Sequence, residues 1–299
     1  MDLNFDFGSI NNVEFGVGLD EDINDRGFYL VPVDPQIQGV LVDMARETLD
    51  GINRIDQVPS LYDPSDKHAS QDSLYVPLND PNVGSIESLH TAENLLVRPN
   101  AMHEYGKIFC YFVRLTDVHG NRLTGVRRST QFKGVVKKRL ITAVDDTLKL
   151  NTKPMFALDS DFDFLVDSDK IVIFRPSGFE FSGQLQEAII AAVPANIQVL
   201  GQAIPFVNFT SIEEYASTRP RAARYIASIK SMGNQNNIDR ECLEQLCTYT
   251  GVALEDDNGQ LVVPDEHSMA FLEVLDRRRY GVDLTGQPER YVAAARHKV

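Results

Sequence analysis

Three aspartates alternate at Asp159, Asp161 and Asp163. Closely spaced carboxylates are the raw material of divalent-cation sites, because hard cations take oxygen ligands. A calcium loop starting at Asp159 needs glycine at its sixth position and a carboxylate at its twelfth, and the chain has Phe164 and Lys170 there. A two-metal nuclease wants a Glu-x-Lys on the following strand, and Glu180 is followed by Phe181 and Ser182. The bare alternation then reads as the wet face of a strand, with Phe162 and Phe164 turned to a core. A metal-dependent nuclease using Asp159, Asp161 and Asp163 stays as the enzymatic alternative. No glycine-rich phosphate loop, GxSxG elbow or HExxH motif occurs, and the six histidines are scattered.

The second chemistry the sequence offers is cationic. The net charge is −14, but residues 1–100 carry −13, residues 101–154 carry +7, and the remainder −8. A basic segment within an acidic chain can attract an anionic partner while the rest repels it. Its core is Arg127, Arg128, Lys133, Lys137, Lys138 and Arg139. Phe132, Val135, Val136 and Leu140 space a short helix that would present Lys133 and Lys137 together. Arg277, Arg278, Arg279, Arg296 and Lys298 make a second concentration, part of which a helix dipole would explain. Tyr111 and Phe112 beside Arg114 interleave aromatic and basic residues, in a run that reads as a core strand.

The elements that must position these residues are α+β in character. Val13–Val17 and Phe28–Val33 read as strands around the acidic turn Asp20–Gly27, and Gln36–Ile52 has helical apolar spacing. Residues 56–100, rich in Pro, Asp, Ser and Asn, read as an irregular connection. Tyr105–Leu115 is a strand, His119-Gly120-Asn121 a turn, and Arg122–Val126 the returning partner. Ile141–Leu150 reads as one further strand. Leu165-Val166 and Ile171–Phe174 form a hairpin around Asp167–Lys170, which Pro176-Ser177-Gly178 stops. Helices follow: Phe179–Val193 closed by Pro194, one opened by a capping-box-like Ser211–Glu214 that continues as far as Met232-Gly233, Cys242–Tyr249 between Asp239 and Gly251, and His267–Arg278 capped by Asp265. The expectation is hairpin-built antiparallel sheet in the N-terminal and central parts and a mainly helical C-terminal part. The division expected is an acidic region 1–100 and a domain 101–299, β-rich over 105–175 and helical over 179–299.

The composition, 43% apolar over 299 residues, supports one large core or two ordinary ones. No run of about 18 apolar residues encodes a membrane span, and the N-terminus lacks the basic and apolar regions of a secretory signal. Cys110, Cys242 and Cys247 fit reduced thiols of a cytoplasmic protein, the latter two as core fillers rather than zinc ligands.

Phe156-Ala157-Leu158-Asp159, Phe162-Asp163, Lys170–Ile173 and Phe179-Glu180 together resemble the KwaB-like domain family of Kiwa anti-phage defence. That family shows a similar strand, hairpin and helix-opening Phe-Glu. The C-terminal end agrees in order: Phe271–Asp276, Leu284-Thr285-Gly286, Tyr291 and Arg296-His297-Lys298. Arg296 stands where lysine is usual, and Arg277-Arg278 where an acidic or neutral pair is common. The resemblance covers about residues 105–299. It implies a cytoplasmic, DNA-associating, non-enzymatic effector without cofactors. Such an effector is peripheral to the inner membrane through a KwaA-like integral membrane partner, is expected as a homodimer, and interferes with phage DNA replication and expression. It also implies phosphate contacts at Arg127–Arg139, joined by Arg221, Arg224 and Lys230, largely blind to sequence. A non-enzymatic scaffold for the membrane partner is the other alternative. The acidic residues 1–100 are read either as an autoinhibitory cover for the basic segment or as a plain solvated face.

Overall fold

The computed structural model describes residues 3–22, 25–53, 59–68, 73–104, 106–129, 141–144, 147–150, 158–282, 284 and 289–293. The fold is α+β. Two compact units are present: Met1–Tyr62 with Ala69–Gln184, and Asp63–His68 with Leu185–Val299.

The first unit opens with β1 (Ile10–Asp22) and β2 (Asp25–Val31), followed by α1 (Pro35–Asn53). Next come β3 (Ser60–Leu61), β4 (Leu74–Pro77) and α2 (Gly84–Thr91). The central strands are β5 (Ile108–Asp117) and β6 (Arg122–Arg128). A separate hairpin, β7 (Ile141–Val144) with β8 (Thr147–Leu150), precedes β9 (Phe164–Val166), β10 (Lys170–Ile173) and α3 (Pro176–Ser182). Eight strands form one sheet in the order β2-β1-β5-β6-β9-β10-β4-β3, antiparallel except for the last pair.

Alternation along the strands divides the side chains between two covered faces. On one face Phe15, Val17 and Leu19 of β1, Tyr111, Val113 and Leu115 of β5, Leu123 of β6 and Leu165 of β9 pack with Leu41, Met44 and Ala45 of α1. The helix residues are spaced three and four apart, which keeps them on one stripe. The other face carries Phe112, Arg114, Val126 and Phe164. There Phe179 of α3 meets Phe164 edge-on at 5.3 Å. With both faces covered, β5 is buried along nearly all its length, which is why Ile108–Val113 reads as an unbroken apolar run.

The second face also buries charge. Arg114 is 1% exposed, lies directly opposite Glu14 on β1, and places Nη2 2.6 Å from its carboxylate. Its Nη1 donates to the Ala92 carbonyl (2.7 Å), while Arg122 Nη1 donates to His90 O (2.6 Å) and Ala92 O (3.1 Å). Two guanidiniums thus satisfy the orphan carbonyls at the negative end of α2. His90 is buried there with Nδ1 2.9 Å from Thr124 Oγ1.

The second unit is built of α4 (Gln186–Ala191), α5 (Val193–Ala203), α6 (Thr210–Ala216), α7 (Pro220–Lys230), α8 (Arg240–Thr250) and α9 (Ser268–Leu275). A small sheet joins β11 (Val207–Asn208), β13 (Gln260–Val262) and β12 (Glu255–Asp257). β14 (Arg279–Val282) and β15 (Glu289–Val292) form a hairpin.

Several expectations need correction. Residues 56–100 are not simply irregular, because β4 pairs with β10 inside the sheet and α2 covers a face. Four residues between polar stretches leave too short a period to read. Ile141–Leu150 is a hairpin rather than one strand. Pro194 sits in the first turn of α5 instead of closing a helix, where its missing N–H costs nothing. The helix opened near Ser211 ends at Ala216, and Ser211 Oγ donates to Val263 O (2.8 Å) rather than capping it. Asp265 lies in a short 3-10 turn ahead of α9. Cys247 is buried but Cys242 is exposed. The boundary expected near residue 100 falls inside the first unit, since β1 is hydrogen-bonded along its length to β5. Asp239 does cap α8, accepting from Cys242 N at 2.9 Å, and Gly251 ends it with φ +73°.

Burial, reinforced by the positive charges of Arg122 and Arg114, pushes the His90 pKa from its usual 6.5 down to about 4. Between those values the unfolded chain binds the proton and the folded chain does not, so stability rises with pH across that window. Urea titrations from pH 7 to pH 4 should show a loss on the order of 3 kcal/mol from this group, absent from His90→Gln. Equal pH slopes for the two proteins would refute the assignment.

Candidate functional site

Successive residues of β6 point to opposite faces, and this sends Arg127 and Arg128 into different surroundings. Arg127 reaches the stretch ahead of β9. Its Nε is 3.2 Å from Asp159 Oδ2, and its Nη1 is 3.2 Å from Asp161 Oδ1 and 3.1 Å from Asp163 Oδ1. Arg175, just after β10, closes the other side, with Nη2 2.6 Å from Asp161 Oδ2 and Nη1 donating to Phe162 O (3.0 Å). Tyr111 OH donates to Asp159 Oδ2 (3.1 Å) and accepts from Asp159 N (3.0 Å).

The three aspartates are therefore not the wet face of a strand. They precede β9, and Asp163 is only 3% exposed. Burial raises the Asp163 pKa, and the Arg128 N–H with the Arg127 and Arg175 charges opposes the rise. Burial likewise lowers the Arg127 pKa, and the three carboxylates more than reverse it, so its pKa ends above the usual value. Burial pushes the Tyr111 hydroxyl upward, out of the range in which it could serve as a base near neutral pH. Among the described residues, no group of three or more His, Cys, Asp or Glu side chains is arranged to hold a metal ion. The arrangement is an ion-paired clamp fixing residues 158–163 to β6.

Arg128 takes the other direction. Its guanidinium lies 3.8 Å over the Phe181 ring, and Arg26 lies 5.0 Å over the same ring and 4.0 Å over Phe109. Arg26 is also bonded to Asp20 (2.8 Å) and to Phe181 O (2.8 Å). The Arg128 side chain is partly buried and has no carboxylate partner among the described residues, and the aromatic ring is its support.

The remaining expected cations belong to the second unit. Arg224 Nη1 donates to Asp66 O (2.9 Å) and Pro64 O (3.3 Å), and Lys230 is 2.6 Å from the Asp66 carboxylate. Both hold the segment Asp63–His68 against α7, helped by Lys67 on Ser228 Oγ (3.0 Å) and by Asn196 on Ser65 O (3.0 Å). Arg221 is exposed, with the Tyr225 ring 6.0 Å away. Lys133, Lys137, Lys138 and Arg139, and the helix expected to carry two of them, lie outside the described residues.

Sequence reasoning missed Arg175, Arg26 and Phe181. The only local signal was an arginine closing the β10 strand and an aromatic two residues after Phe179. Their roles depend on partners far along the chain.

Arg127→Ala would remove the cation that three carboxylates share, one of them buried, leaving Arg175 on Asp161 and, at 3.7 Å, on Asp163, and should cost about 2–4 kcal/mol in a urea melt. Arg128→Ala, which removes a partly buried cation–π contact, should cost about 1 kcal/mol. Equal costs would mean that the clamp is not as drawn.

No match appears among curated proteins or among solved structures. A family model described as Kiwa protein KwaB-like matches residues 106–285. The match starts within one residue of the strand where the resemblance was read, takes in the clamp, Arg128 and all of α4–α9, and stops short of Tyr291 and the basic tail. Because it spans more than half of the 299 residues, the chain belongs to the KwaB-like family.

Proposed function

We propose that this chain is the DNA-associating effector of a Kiwa anti-phage system, acting without catalysis of its own and gripping duplex DNA through the phosphate backbone. Family membership supports the defence role. The DNA reading is carried by Arg128, a guanidinium supported on an aromatic ring and without a carboxylate partner among the described residues, at the head of the basic run 127–139. In this reading Arg128, Lys133, Lys137, Lys138 and Arg139 make the phosphate contacts, and Arg221 adds an exposed charge on the second unit. Arg127, Arg224 and Lys230 are retained in the fold as counterions and leave the list of contacts.

The partner is a KwaA-like integral membrane protein, with the effector cytoplasmic, peripheral to the inner membrane and homodimeric. No helix among the described residues is long and apolar enough to cross a membrane, which fits anchorage through such a partner. The nuclease alternative would ask Asp159, Asp161 and Asp163 to release the guanidiniums they hold. The scaffold alternative needs the same partner without the DNA.

A gel-shift titration of duplex DNA over a salt series, with magnesium present, tests the proposal. Retardation should weaken with a log–log slope of about −0.9 per phosphate contact and leave the DNA uncut. Replacing Arg128, Lys133, Lys137 and Lys138 together by alanine should flatten that slope, and Arg224→Ala should not. No retardation at any salt would leave the scaffold standing, and cleaved DNA would restore the nuclease.

A further inference from the structure

The aromatic support under Arg128 is itself held in place. Phe181 lies in the last turn of α3, where carbonyls have no partner within the helix. Arg26 of β2 takes one of them, donating from Nη1 to Phe181 O at 2.8 Å. The same guanidinium lies 5.0 Å over the Phe181 ring and 4.0 Å over Phe109, and its Nε donates to Asp20 at 2.8 Å. One side chain thus touches both the backbone and the ring of Phe181. Phe109 meets that ring edge-on, with centroids 6.5 Å apart and planes at 68°.

Arg128 is fixed at its other end. Its backbone N–H donates to Asp163 Oδ2 at 2.7 Å, and its guanidinium lies 3.8 Å over the Phe181 ring. Arg26 and Arg128 therefore share a ring but not a role. Arg26 is engaged by a carboxylate and a carbonyl, and only 16% of its side chain is exposed. Arg128 has no carboxylate partner among the described residues, and the ring holds it without consuming an N–H donor.

We propose that Arg26 and Phe181 are positioning residues for the phosphate contact of Arg128. Arg26 fixes Phe181, and Phe181 pre-orders the Arg128 guanidinium. This rests on the phosphate-backbone reading above and adds to it the device that makes the contact rigid. An arginine that grips a phosphate loses rotamer freedom, and one already held on a ring has less to lose. Leucine at position 181 would fill much of the same space but offer no π face to a cation.

Gel-shift titration of duplex DNA with the full chain, extended to variants of these two residues, tests it. Phe181→Leu should weaken binding by about threefold to tenfold at fixed salt, and Phe181→Tyr should keep wild-type affinity. Arg26→Ala should weaken binding too, and so should Arg26→Lys, which keeps the charge but loses the planar fork. In an Arg128→Ala background, none of these changes should weaken binding further. Side-chain NMR of the DNA-free protein supplies a readout that needs no ligand. The Arg128 Nε–H resonance, identified by its absence from Arg128→Ala, should be shifted by the ring and should move to the exposed-arginine position in Phe181→Leu. A resonance unmoved by Phe181→Leu overturns the positioning role, as does equal weakening by Phe181→Leu with and without Arg128. If Arg128→Ala weakens binding and Phe181→Leu does not, the positioning role falls and the DNA reading stands. No wild-type retardation at any salt overturns both.

Discussion

The first unit depends on one buried carboxylate. Asp163 accepts from the Arg128 backbone N–H at 2.7 Å and from Arg127 Nη1 at 3.1 Å. Its own N–H donates to Val126 O (2.8 Å), and its carbonyl accepts from both Phe174 N (2.8 Å) and Arg175 N (3.0 Å). One residue therefore joins the ends of β6, β9 and β10. A buried charge is tolerable only when it is paired and hydrogen-bonded throughout, and Asp163 meets that condition. The helix that follows is shaped around it. A Cβ at Gly178 would collide with the Asp163 carboxylate, so α3 approaches only because that position has no side chain. The Pro-Ser-Gly step that ends the hairpin is thus a packing requirement as much as a turn signal.

The same accounting changes what the charge map means. A balance of +7 over residues 101–154 suggests a surface field, yet Arg114, Arg122 and Arg127 are spent on Glu14, on the carbonyls ending α2 and on the aspartate clamp. In the second unit Arg224 and Lys230 are spent on Asp63–His68. A cation already bonded to a carboxylate releases no counterion when a phosphate arrives, because it must first give up an equal partner. Only cations without such a partner count toward binding, which separates Arg128, with no carboxylate partner among the described residues, from Arg127 although the two are adjacent in sequence.

Features set by neighbours in sequence could be read directly. The β1–β2 pair, α1, the β5–β6 hairpin, the β9–β10 hairpin and the Asp239 cap all follow from periodicity or a few turn residues. What escaped was fixed by distant partners. β4 is four residues long and becomes a strand only because β10 offers an edge. Pro194 is a stop in isolation and a start once α5 is seen to begin there. The aspartates alternate as a wet strand would, and Arg127 and Arg175 are what turn them inward. The Tyr280–Tyr291 pair was written in two Arg-Tyr steps, but only the register of β14 against β15 shows that the rings share a face.

That register carries a general point about placing nucleic-acid contacts in an acidic chain. Counting arginines in a window treats every guanidinium as available, whereas strand alternation assigns neighbouring residues to opposite environments. On β6 it sends Arg127 to the aspartates and Arg128 to the Phe181 ring. On β14 and β15 it sends Nε of Arg279 and Arg290 to carbonyls at the end of α8 and stacks the two tyrosines on the other side. Which side of its strand an arginine takes therefore decides whether it serves the fold as a counterion or remains a charge for a partner.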